Sequence, residues 1–118
     1  MNWVKIASLM MFLGIGLGAF GSHVLKDKIS AYQLEIFKTG VFYHLIDALG
    51  LLAIGWFNTQ IHDPKLNMAC LLLFSGIILF SGSLYLLSLT QIKWFGMITP
   101  LGGIVLLGGW LMIFLVKF

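Results

Sequence analysis

Charge is what this chain has least of. Charged residues fill 9% of its 118 positions and apolar residues 60%, against roughly 25% and 45–50% in soluble domains. A soluble fold of this length leaves too much of itself exposed to hide so much apolar surface. Hydrocarbon is therefore the expected solvent. Cysteine is almost absent too: Cys70 stands alone inside an apolar run, which excludes a disulfide framework or a paired-cysteine metal motif and reads as a small buried hydrophobe. There is no basic run and no aromatic-interleaved basic patch, so the net charge of +3 points to no nucleic-acid partner. The scattered lysines read instead as contacts to lipid headgroups. No phosphate loop, Ser-His-Asp order or cysteine motif is present, so no enzymatic activity and no cofactor is expected.

The placement of the few charges divides the chain. Between Lys5 and Lys26 the only ionisable group is His23, and between Lys38 and Asp63 only His44, Asp47 and His62 interrupt. From Leu66 to Ile92 and from Trp94 to Val116 no residue is charged. About 20 apolar residues at a 1.5 Å rise cross a hydrocarbon core, and unbroken runs of this kind are helices rather than barrel strands. The expectation is an all-α membrane protein: one domain over residues 1–118, built as an antiparallel bundle of four transmembrane helices near 3–24, 31–58, 64–90 and 94–117. A secretory signal ending at Ala19-Phe20-Gly21 competes for the first run; a retained span is the expectation.

The connections carry their own signals. Ser30 followed by Gln33 is a capping-box pattern, and Ala31 to Lys38 reads as a short amphipathic, interfacial lead-in continuous with the second helix. Asp63-Pro64 supplies an N-cap and first residue for the third helix. Pro100 either kinks the fourth helix or marks where its regular part begins. The lysine balance, with Lys5, Lys65 and Lys117 on one side and Lys26, Lys28, Lys38 and Lys93 on the other, is too even to orient the chain.

Glycine is absent from the polar turns; all fourteen copies lie in or beside the apolar segments. Small residues let helices approach closely in lipid. Gly14, Gly18 and Gly21 form a stripe on the first helix, Gly40 and Gly55 flank His44 and Asp47 on the second, Gly82 lines up with Ser75 on the third, and Gly102 with Gly109 on the fourth. These stripes pack the helices of one chain or make a homo-oligomer interface.

Threading gathers the polar side chains. Call side B the side of the long first connection. His23 reaches it at the end of the first helix, and His44 and Asp47 lie roughly 8 to 14 Å inside it. Ser81, Ser83 and Tyr85 approach it on the third helix, and Thr99 leaves it on the fourth. With Tyr43, these residues form an expected polar pocket opening toward side B. An ionised carboxylate near mid-bilayer is costly and marks a partner or a water-filled cavity. Asp47, with His44 one turn away, would serve as a proton relay, a cation site or a lipid-headgroup clamp, or would only lock the bundle through Ser, Thr or Tyr on neighbouring helices. His23, His44 and Asp47 are metal-ligand types, but only two share a helix and no fourth ligand is evident, so no metal site is expected.

The strings Gly18-Ala19-Phe20-Gly21-Ser22-His23, Thr39-Gly40-Val41-Phe42-Tyr43, Phe80-Ser81-Gly82-Ser83-Leu84-Tyr85 and Thr99-Pro100-Leu101-Gly102-Gly103, with Gly109-Trp110 beyond, resemble the bacterial membrane family known as domain of unknown function 423. Eukaryotic transmembrane protein 256 looks like a relative. The resemblance spans the chain and implies a multi-pass protein of the bacterial cytoplasmic (inner) membrane with about four helices; it implies no activity. Members of this type often place a His where this chain has Asp47, so a strictly His-dependent role there is not implied, while a polar, protonatable one is. The expected function is that of a structural or accessory protein binding membrane lipids or another membrane protein through the polar pocket. The alternative is a small homo-oligomeric transporter or channel using Asp47 and His44 for proton or cation coupling.

Overall fold

A computed structural model describes all 118 residues. Four helices are long and apolar enough to cross a membrane: α1 (Trp3–Leu25), α2 (Ala31–Gln60), α3 (Pro64–Thr90) and α4 (Lys93–Phe114). Of 95 backbone hydrogen bonds, 83 are internal to helices, as hydrocarbon requires of a chain that cannot pair its amides with water.

Local chemistry sets the helix ends. Asn2 caps α1, its side chain accepting from the Lys5 amide at 3.1 Å. The capping box opens α2: Gln33 N–H donates to Ser30 Oγ at 3.1 Å, and Ser30 N–H donates to Gln33 Oε1 at 3.0 Å. At about 45 Å by its 1.5 Å rise, α2 is longer than a hydrocarbon core is thick; Ala31 to Lys38, with the polar Gln33, Glu35 and Lys38, is continuous with the rest of the helix. Asp63 caps α3 ahead of Pro64 by accepting from the Lys65 amide at 2.9 Å. Gln91 ends α3 in the left-handed region at φ 58°. Pro100 lies inside α4, which begins at Lys93 and continues through it; it is not the start of the regular part. Within α1, residues Leu17–Gly21 form a π-helical turn where uninterrupted α-helix is expected from the spacing. Gly16, Gly18 and Gly21 crowd this stretch, and glycine holds α geometry about 1 kcal/mol less firmly than alanine.

Pairings between helices make the threading antiparallel. The Trp3 indole N–H donates to Asn67 Oδ1 at 2.8 Å, joining the starts of α1 and α3. The Gln33 amide donates to the Ser88 carbonyl at 2.7 Å, joining the start of α2 to the end of α3. Packing is broadest between α3 and α4, then between α2 and α3, then between α1 and α2. The bundle is elongated, 48 × 26 × 19 Å.

Six of the seven glycines expected to pack do so. A Cβ at Gly14 would lie 2.7 Å from a Leu45 methyl, at Gly18 2.9 Å from Val41, at Gly21 3.1 Å from Phe37, and at Gly40 2.9 Å from the Tyr85 ring. One at Gly109 would lie 3.0 Å from Leu73, and one at Gly102 would strike the backbone of Leu79 and Phe80. Gly82 is the correction: nothing lies within 4 Å of its would-be Cβ, because α3 turns the faces bearing Ser81 and Ser83 inward and leaves Gly82 between them.

The interior is divided by depth. One apolar cluster (Trp3, Ala7, Ala48, Leu51, Leu66, Cys70, Leu73, Ile77 and neighbours) fills the half away from side B. The buried polar residues His44, Asp47, Ser81, Ser83 and Ser88 occupy mid-bilayer and the side-B half. Large apolar side chains on the outer faces, such as Phe12, Phe20, Ile104 and Leu107, are exposed, and lipid is their complement.

Candidate functional site

His44 sits on the face of α2 that meets both α1 and α3. Its Nε2 lies 2.8 Å from the Met10 carbonyl and its Nδ1 2.8 Å from the Tyr85 hydroxyl. A carbonyl only accepts, so Nε2 carries the hydrogen, and in the neutral ring Nδ1 accepts from Tyr85. Both nitrogens are thereby engaged. The imidazole clamps three helices.

The hydroxyls also pair locally. Ser81 donates to the Gly40 carbonyl at 2.7 Å, tying α3 to α2. Ser83 Oγ lies 2.6 Å from Thr99 Oγ1 and 2.8 Å from the Phe80 carbonyl, tying α3 to α4. Ser88 bonds back to the Tyr85 carbonyl at 2.8 Å. Hydroxyls bonded to backbone carbonyls are not activated as nucleophiles.

Asp47 is different. It is only 4% exposed, and α2 carries it about 13 Å beyond Lys38, deep in the hydrocarbon. Its Oδ1 accepts from the Trp110 indole at 3.0 Å, across to α4. Its Oδ2 takes no hydrogen bond, yet no fully buried side-chain oxygen in the chain lacks a partner, so Oδ2 reaches the surface. Asp47 is itself one of the residues lining a groove of about 470 Å³ bounded by α2, α4 and Phe80 of α3, with Tyr43, Pro100, Leu107 and Trp110 among its other walls. Leu107 and Ile104 on the rim are 71% and 66% exposed, so the groove opens sideways, toward acyl chains. A carboxylate at this depth costs roughly 2.5–3.5 kcal/mol on insertion scales, and one indole offsets only part of that.

The expected single pocket thus divides in two. His44, Tyr85, Ser81, Ser83 and Thr99 are spent on interhelical bonds, whereas Asp47 and Tyr43 face the groove, Tyr43 packing edge-on against Phe80 at 4.9 Å between centroids. Ser83 and Thr99 do not line it. His23 joins neither group: it is exposed and forms no side-chain hydrogen bond, because it lies in the last turn of α1 beyond the π segment. No cluster of three or more His, Cys, Asp or Glu side chains is placed to share a metal ion.

Trp110, Phe80 and Pro100 are groove residues that sequence reasoning did not select, as Gly50 and Gly76 are close-packing glycines it did not select. A signal for Trp110 was available. An indole N–H deep in an apolar span needs an acceptor, and Asp47 is a carboxylate on another span. Gly50 makes room: its would-be Cβ lies 2.6 Å from the Trp110 ring.

Comparison with known proteins places the chain in a family. The family described as protein of unknown function (DUF423) matches residues 17–103. The chain is 43% identical over 112 residues to the UPF0382 membrane protein YwdK of Bacillus subtilis, covering 94% of this chain and 91% of that protein. It is 42% identical to the UPF0382 membrane protein SSP2132 of Staphylococcus saprophyticus, covering 94% and 92%. A Staphylococcus aureus relative, the UPF0382 membrane protein SAB0533, is 42% identical, covering 98% and 94%. No solved structure matches.

Proposed function

The chain belongs to the family described as protein of unknown function (DUF423), and we propose that it is a non-catalytic accessory protein of the bacterial cytoplasmic membrane. It holds another membrane-embedded molecule, a lipid or a membrane partner, in the groove beside Asp47. The observation that carries this reading is the state of that carboxyl: almost wholly buried, bonded to Trp110 through one oxygen, unbonded at the other, and placed in the wall of a lateral groove. A purely structural carboxyl would be expected to have both oxygens satisfied within the bundle, as His44 has both nitrogens.

The coupled-transport alternative needs a relay. His44, its natural second member, is held between Met10 and Tyr85, and the remaining polar groups bond in local pairs rather than in a chain across the bilayer. An acyl chain would cover the groove walls but leave Oδ2 unpaired, so the favoured occupant also brings a hydrogen-bond donor or positive charge.

Native mass spectrometry of the protein taken directly into lipid nanodiscs tests this. The wild type is expected to retain a bound molecule that Asp47→Asn loses. A wild type with no adduct, together with proton or cation flux in liposomes abolished by the same substitution, would replace the accessory reading with the transporter.

A further inference from the structure

We infer that the groove between α2 and α4 is a binding site for a lipophilic organic monocation, a molecule with one delocalised or shielded positive charge and flat apolar substituents. The inference rests on the groove-binding reading above and names the occupant's chemistry.

Charge comes first. Among the groove's lining residues Asp47 has the only carboxyl and there is no basic side chain, so an ionised Asp47 finds no counter-charge within the groove. In a low-dielectric surrounding, attraction between opposite charges is far stronger than in water. One carboxylate with one free oxygen matches a single positive charge; a dication would leave its second charge in hydrocarbon. An inorganic ion is a poor fit, because hard cations take several oxygen ligands and the Asp47 carboxyl and the Tyr43 hydroxyl are the only side-chain oxygens among the lining residues.

The walls supply the second argument. Tyr43, Phe80 and Trp110 line the groove together with Asp47, and aromatic faces attract organic cations. The volume of about 470 Å³ falls in the range that takes a compact drug-sized molecule. The third argument is access. The rim is exposed sideways at Ile104 and Leu107, where a lipophilic cation dissolved in the bilayer arrives without crossing the helices.

Charge also argues against a second copy as occupant. A two-fold contact through this groove would present the same surface to itself, and no lysine lines it to pair with the other chain's Asp47. Of the occupants the accessory reading allows, an ordinary lipid fits less well, because its headgroup stays at the interface and only its acyl chain reaches Asp47, about 13 Å along α2 from Lys38.

The test uses two ions of matched size and opposite charge, tetraphenylphosphonium and tetraphenylborate, in equilibrium dialysis against the full-length protein in nanodiscs. Saturable binding of the cation alone is expected, weakened at least about tenfold by Asp47→Asn, a difference of about 1.4 kcal/mol. Asparagine keeps an oxygen for the Trp110 N–H, so this variant retains the bundle. Phe80→Leu, which removes an aromatic wall without touching the charge, is expected to weaken cation binding by a smaller factor. Equal binding of both ions, or unchanged cation binding by Asp47→Asn, would mean apolar partitioning and overturn the inference. If neither ion binds while wild type still carries an adduct lost in Asp47→Asn, the groove binds something else: the cation inference fails and the accessory reading survives. If neither ion binds and no adduct is present, both fail.

Discussion

Gly14 of α1 lies directly against the His44 imidazole of α2, a Cβ at Gly14 falling 3.2 Å from His44 Cδ2. That bare patch of backbone lets Nε2 reach the Met10 carbonyl at 2.8 Å. Small residues and polar residues are usually treated as two separate means of holding membrane helices together. Here one makes the other work, and the pair also presents the Nδ1 edge to Tyr85 on α3.

The first prediction concerns that glycine. Gly14→Ala meets mainly the end of the flexible Leu45 side chain, 2.7 Å away, and is expected to change stability by less than about 1 kcal/mol, since alanine also favours the helix. Gly14→Val directs branched methyls at the imidazole and is expected to cost about 1–3 kcal/mol. Unfolding equilibria in lipid bicelles check both; equal effects of the two substitutions would mean that His44 does not depend on this contact.

Tyr85→Phe removes the hydroxyl that donates to His44 and nothing else of its shape. Hydrogen bonds between membrane helices average about 0.6 kcal/mol and reach about 1.7, and a loss within that range is expected. His44→Phe should cost more, because it strands the Tyr85 hydroxyl and the Met10 bond together and enlarges the ring. The same unfolding measurement ranks them. The reverse order would show that Tyr85, not His44, centres the clamp.

Gly102 and Gly82 make a matched pair on opposite sides of the packing question. A Cβ at Gly102 would stand 2.7 Å from Phe80 Cα, backbone against backbone, so Gly102→Ala must separate α3 from α4 and is expected to destabilise by about 1–3 kcal/mol. Gly82→Ala meets nothing within 4 Å and is expected to be neutral or to stabilise by up to about 1 kcal/mol. Thermal denaturation in detergent distinguishes them, and a destabilised Gly82→Ala would restore that residue to a helix interface.

The Ser83–Thr99 contact, 2.6 Å between hydroxyl oxygens, is a candidate for a double-mutant cycle. Ser83 also bonds to the Phe80 carbonyl, so Ser83→Ala and Thr99→Ala are each expected to be mild, with a coupling near 0.6 kcal/mol, roughly the average for such bonds. A coupling indistinguishable from zero would mean that the backbone bond alone holds Ser83.

Hydropathy and charge placement alone determined the four spans, the antiparallel threading and the depth at which polar side chains sit, because the cost of placing a residue in hydrocarbon accumulates along the chain without regard to its neighbours. The caps at Ser30 and Asp63 were legible for a similar reason: their partners are two or three residues away. Only the tertiary structure decided what each polar group bonds to. Whether Asp47 meets Thr99 or Trp110, and whether Gly82 or Gly76 faces a neighbour, depends on how far each helix is rotated about its axis. A rotation of a few tens of degrees redirects every side chain at once while leaving hydropathy unchanged. That rotation set His44 into the bundle and placed Asp47 in the wall of the groove with one oxygen unbonded.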